Sequence, residues 1–259
     1  MNIDTLRIHM RERTWAESID LGILWVREDL FGPFLRLWLA LVLPTWALTA
    51  FAGWWYSLPF LAPIIAVVWG AWIEGAFTIL TSRSLIGESV RQRDVLGVLA
   101  KRALSWTWVR FCQALLTVIG TNTFIAPMVV QPLLFLTGEA FWMEHATPGK
   151  ALVRSTQMVS PRMGSALLSS FGLLFMRFMI AFAVGSMLFF FLTSVLMLPL
   201  PGDYWRSTLV HAVLSLGWLV GLPWSAACRV VIFLDTRTRV DGLDLQLRMA
   251  KLAKERRDS

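Results

Sequence analysis

From Leu37 to Ile73 the chain carries no charged residue. An α-helix crosses the hydrocarbon core of a membrane in about 20 apolar residues. This run is too long for one crossing, and Gly53 to Pro59 supplies a break for two. Helices are expected over about 33–55 and 59–82. Phe178 to Gly202 is uncharged and gives another span, and Ser207 to Cys228 gives the last. Between them lies the uncharged run Phe111 to Gly138, with Thr121-Asn122-Thr123 as a polar break near its centre. Two helices fit there if Arg110 and Glu139 lie at the cytoplasmic interface and snorkel.

Composition points the same way. Hydrophobic residues make up 56% of the chain and charged residues 16%, against about 25% charged in a soluble domain. A net charge of +7 would suit a nucleic-acid partner. The charges fall between apolar runs and not along one soluble face, so nucleic acid is excluded and orientation explains them. With six spans and both termini inside, all 24 basic residues except Arg206 face the cytoplasm. Five spans would turn the basic tail outward, against the positive-inside rule. The expected fold is all-α: a polytopic membrane protein of six transmembrane helices arranged as three hairpins, with cytoplasmic amphipathic interfacial helices. Residues 1–30 form a cytoplasmic amphipathic helix, 31–234 the six-helix domain and 235–259 a cytoplasmic basic tail. About thirty mixed residues precede the first apolar run, so the N-terminus does not read as a signal peptide.

The inner segments are patterned. Thr14-Trp15-Ala16-Glu17 reads as a capping box. Behind it Trp15, Ile19, Ile23, Val26 and Leu30 form one apolar stripe, expected to lie in the membrane interface. Val95, Leu99 and Trp106 form a second stripe. A third follows Thr147-Pro148, an N-cap with proline at the first helical position, and carries Ala151, Leu152, Ser155 and Val159. Ser160-Pro161 restarts the helix that becomes span five. That helix should reach Leu198, about 57 Å at about 1.5 Å per residue.

Glu74 is the most informative single residue. It sits inside span two, and an ionisable group at that depth is a functional candidate or one half of an ion pair. Arg177, Arg110 and Arg83 are its candidate partners. Glu144 and Arg154 read as a clamp across the Thr147-Pro148 turn. Asp235, Arg237, Arg239 and Asp244 alternate acid and base after span six. They form an ion-pair cluster against the inner helices or present arginines to lipid phosphates. Trp38, Trp46, Trp54, Trp55, Tyr56, Trp69 and Trp72 read as packing and interfacial anchors. Cys112 and Cys228 read as small buried hydrophobes. No metal, cofactor, nucleotide or catalytic-triad pattern is present in the sequence.

Two stretches are more specific. Glu144-His145-Ala146-Thr147-Pro148-Gly149-Lys150-Ala151-Leu152-Val153-Arg154-Ser155 resembles a motif in which a glutamate precedes an ALxRS helix. Phe233 to Leu245, with Asp235-Thr236-Arg237-Thr238-Arg239-Val240-Asp241-Gly242-Leu243-Asp244, resembles a DxRxRxEGxDL ending, Asp241 standing for the glutamate. Both are similar to the membrane domain of some bacterial glycerophosphodiester phosphodiesterases and its free-standing relatives. The resemblance implies a bacterial inner (plasma) membrane. Some relatives are encoded near ATPases and transglutaminase-like membrane proteins, which implies an accessory role. The phosphodiesterase chemistry does not carry over, because none of His9, His145 and His211 is followed by Arg-Gly.

The expected function is a non-enzymatic scaffold or accessory subunit, with a membrane-protein partner or a homo-oligomer and with anionic headgroups at its cytoplasmic side. The alternative is a small transporter or lipid-handling protein using Glu74. A lipid-modifying enzyme ranks last, for want of any motif.

Overall fold

In hydrocarbon a chain satisfies its backbone only as helices or closed barrels, and all regular structure among the described residues is helical. The computed structural model describes residues 13–55, 61–88, 90–121, 126–195, 197 and 208–242. Arg206, Tyr56, the first twelve residues and residues 243–259 of the basic tail, Asp244 among them, lie outside these; residues 235–241 of that tail belong instead to the last helix.

Helix α1 (Trp15–Trp25) runs through a π-helical turn (Val26–Leu30) into α2 (Phe31–Trp55). Then come α3 (Leu61–Leu85), α4 (Gln92–Lys101), α5 (Ala103–Thr121), α6 (Ala126–Leu133) and α7 (Thr137–Met143). Helix α8 (Pro148–Val159) passes through a 3-10 turn (Ser160–Arg162) into α9 (Met163–Phe190), which ends in a π-helical turn (Phe191–Val195). The last two are α10 (Thr208–Val220) and α11 (Leu222–Asp241). Four continuous helices are long and apolar enough to cross a membrane: Trp15–Ala52, Pro63–Leu85, Pro148–Val195 and Leu209–Asp241. Ala103–Ile119 and Met128–Met143 are apolar but shorter. They occupy the run from which spans three and four were expected.

The capping box forms as expected. The Thr14 amide donates to Glu17 Oε2 at 2.9 Å, and the Glu17 amide donates to Thr14 Oγ1 at 3.3 Å. The face it starts behaves differently from expectation. Ser18, Ile19, Gly22 and Trp25 are buried, and α1 packs on α11 and α9. A close approach makes this contact: a Cβ on Gly22 would lie 2.6 Å from Cys228 Cα. Cys228 in turn donates its thiol to the Ile19 carbonyl at 3.4 Å. Val95, Leu99 and Trp106 are likewise buried in the protein, as are Ala151, Ser155 and Val159.

Breaks in the helices free carbonyls, and other helices fill them. Pro223 has no N–H for the carbonyl four residues earlier; that carbonyl, on Leu219, accepts instead from the Trp38 indole at 3.1 Å. The interruption between α6 and α7 exposes the Leu133 and Leu134 carbonyls. Ser155 Oγ donates to the first at 2.7 Å and Gln113 Nε2 to the second at 3.0 Å. At the end of α7 and just past it, Arg102 donates to the carbonyls of Phe141 at 3.0 Å and Ala146 at 2.6 Å. Trp46 reaches the Ala212 carbonyl at 2.8 Å, and Trp72 reaches Thr107 Oγ1 at 3.1 Å. These tryptophans act as packing clamps between helices, while Trp55 and Trp69 are exposed apolar surface.

Candidate functional site

Helix α11 is the hub, and three ionic groups branch from it. The deepest surrounds Glu74, which is 2% exposed. Its Oε1 lies 2.6 Å from Arg229 Nη2 and accepts from Ser225 Oγ at 2.7 Å. Its Oε2 lies 3.5 Å from Arg110 Nη2. Arg229 also places Nε 3.0 Å from Glu139 Oε1, and Glu139 is fully buried. Arg177 acts electrostatically on Glu74 while its guanidinium lies 4.0 Å from the Trp218 ring centre. Two arginines, Arg229 and Arg110, thus pair with two carboxylates, Glu74 and Glu139. Gly75 makes room beside them: a Cβ there would meet Trp142 Nε1 at 2.8 Å and Trp106 at 2.9 Å. Arg110 lies over the Trp106 ring at 4.3 Å. Burial beside these rings lowers the local polarity, which strengthens each pair while raising the cost of breaking one.

Of the expected partners Arg110 pairs with Glu74, while Arg177 makes no ion pair with it among the described residues. The third, Arg83, makes no ion pair among the described residues. The main partner, Arg229, is among the basic residues expected to face the cytoplasm. It lies instead inside α11, because that helix continues past Cys228 to Asp241. Glu139 and Arg110 were expected to snorkel at the interface, and both turn inward. Each occurs singly in an apolar run, which reads as a span boundary. The signal that finds them is that the lone charges carry opposite signs and each lacks a local partner.

The second group joins the two sequence motifs. Arg154 Nε lies 3.2 Å from Glu144 Oε2, which forms the clamp across the Thr147-Pro148 turn. Arg154 also pairs with Asp241. Arg237 Nε lies 3.3 Å from Glu144 Oε1 and 3.4 Å from Asp241 Oδ2. This square ties α8 to the end of α11. Thr147 is the N-cap of α8 by position, although its side chain makes no cap bond.

The third group holds the start of α1. Asp235 Oδ1 accepts from the Arg13 amide at 2.8 Å, and Asp235 Oδ2 lies 3.0 Å from Arg239 Nε. Arg239 also donates to the Arg13 carbonyl. Of the expected alternation, Asp235 and Arg239 face α1, while Arg237, with Asp241, faces α8. Among the described residues no group of three or more His, Cys, Asp or Glu side chains is arranged to hold a metal ion.

Comparison with protein-family models, with curated proteins and with solved structures yields no match. Four helices long and apolar enough to span, in an all-helical fold, suggest a membrane protein.

Proposed function

We propose that the protein is a six-span bacterial inner-membrane protein with both termini in the cytoplasm, acting as a non-enzymatic scaffold or accessory subunit of a membrane complex. The observation that carries this reading is that the buried charges are spent on one another. Glu74 and Glu139 are held by Arg229 and Arg110, which leaves neither carboxylate free to line a polar passage. The alternative, a transporter or lipid-handling protein working through Glu74, is less well supported. Neither the cavity between α1, α9 and α11 nor the apolar cleft at Phe34 and Trp224 is lined by Glu74.

Support for six crossings comes from lengths and neighbours. Helix α5 is about 28 Å long and the interrupted α6–α7 segment about 27 Å at about 1.5 Å per residue, close to the roughly 30 Å hydrocarbon core. Helices consecutive in the chain pack on one another: α2 on α3, α5 on α6, and α9 on α10. Withdrawing Arg110, Arg177 and Arg229 from the count of cytoplasmic charges leaves the bias unchanged in sign. Kinship with the phosphodiesterase-associated membrane domain rests on the two motifs, and their meeting at Glu144, Arg154 and Asp241 favours it.

The scaffold reading predicts a partner. Affinity purification of the whole chain in mild detergent should recover another membrane protein, or a second copy of the chain, at fixed stoichiometry. Repeated recovery of the protein alone as a monomer would overturn it.

A further inference from the structure

A cavity of about 400 Å3 opens between the start of α1, the α8–α9 junction and α11. Its floor is apolar, with Leu136, Met158, Val159 and Ile232 buried there. Its rim carries three arginines, Arg13, Arg162 and Arg239, against two acids, Glu17 and Asp235. Both acids are engaged. Glu17 accepts from the Thr14 amide, and Asp235 accepts from the Arg13 amide and pairs with Arg239. Arg162 is exposed and has no carboxylate partner among the described residues. The wall contains Ser169, which is 2% exposed. Its hydroxyl has no hydrogen-bond partner among the described residues.

The depth of the cavity is set by α9. Leu168, Phe171, Phe175, Phe178 and Phe182 form an exposed apolar strip along that helix. Leu168 ends the strip, and Ser165 and Arg162, both exposed, follow about one and two turns further on. The polar mouth of the cavity thus begins where the lipid-facing surface stops. On the membrane placement proposed above, that is the level of the headgroups. An arginine fork matches the oxygens of a phosphate ester, and a buried hydroxyl supplies a further donor.

We propose that this cavity binds the phosphate ester of an anionic amphiphile, with Arg162 as the cation at its mouth, Ser169 donating within, and the apolar floor receiving the neighbouring hydrocarbon. The source that fits the floor is a membrane phospholipid, and a soluble phosphate ester shares the same recognition. The proposal rests on membrane placement and not on the scaffold role, since partner recovery and lipid retention are measured separately.

The test is native mass spectrometry of the whole protein in mild detergent, titrated with phosphatidylglycerol, with phosphatidylcholine, and with glycerol 3-phosphate as competitor. One saturable phosphatidylglycerol adduct is expected. Arg162→Glu should weaken it about ten-fold, while Arg93→Glu, an exposed control outside the cavity, should change it less than about two-fold. Ala166→Phe, which fills the cavity without altering charge, should also reduce retention. Displacement by glycerol 3-phosphate supports the phosphate site and assigns it a soluble source, and resistance to displacement assigns it the lipid. Equal retention of phosphatidylcholine, or equal losses in Arg162→Glu and Arg93→Glu, overturns the proposal.

Discussion

Replacing Glu74 by alanine is expected to destabilise the protein by about 3–5 kcal/mol, because it strands a buried arginine. The carboxylate is the partner of both Arg229 and Arg110. Without it Arg110 loses its carboxylate and Arg229 keeps only Glu139. Equilibrium unfolding in mixed detergent micelles reads the loss. The double variant Glu74→Leu with Arg229→Met should not add the two single costs, since residues in one network couple. Arg154→Met gives the contrast. Arg154 is about a quarter exposed and Glu144 keeps Arg237, so a cost nearer about 1 kcal/mol is expected for so solvated a pair. A Glu74→Ala variant as stable as the parent would mean that the cluster does not hold the bundle together.

The second large effect is expected at Gly22. Its missing side chain lets α1 lie directly on α11, where a Cβ would come within 2.6 Å of Cys228 Cα and 2.9 Å of Cys228 N. Those are backbone atoms and cannot rotate away. Gly22→Val should therefore undock α1, with an overpacking cost of about 1–3 kcal/mol or more. The readout is limited proteolysis, with new cleavage within residues 15–30 while the rest of the bundle stays resistant. Gly97→Ala is the control: a Cβ there meets nothing within 4 Å, and alanine in a helix gains up to about 1 kcal/mol over glycine. Equal protease resistance in Gly22→Val and the parent would contradict the close α1–α11 packing.

Much of the helical layout is legible in the sequence, because uncharged length and breakers act locally. The break between α2 and α3, the capping box at Thr14 and the Glu144–Arg154 clamp all follow from neighbours within about a dozen residues. The deep cluster was only half legible. Glu74 stood out as an acid in an apolar run, and Arg110 and Arg177 were named with it. Arg229 and Glu139 were not, because hydropathy turns any lone charge into a span boundary. Their burial depends on contacts between α3, α7 and α11, which lie far apart in the chain. The stripe on α1 was visible, but an apolar stripe looks the same whether it meets lipid or α11. Only the match of Gly22 to Cys228 separates the two. Likewise the cavity at Arg162 joins three distant segments and leaves no local signature.

The central claim is that six crossings leave the inner ends of α1, α8 and α11 on the cytoplasmic side. Cysteine accessibility tests it most directly. In a Cys112→Ser, Cys228→Ala background, single cysteines at Asn2, Ser57, Asn122, Gly149, Asp203 and Ser259 are labelled with a membrane-impermeant maleimide in sealed and in permeabilised cells. The account predicts labelling of Ser57→Cys, Asn122→Cys and Asp203→Cys in sealed cells. Asn2→Cys, Gly149→Cys and Ser259→Cys should react only after permeabilisation. Protection of Asn122→Cys would show that α5 and α6 do not cross, and labelling of Ser259→Cys in sealed cells would put the basic tail outside; either result contradicts the account.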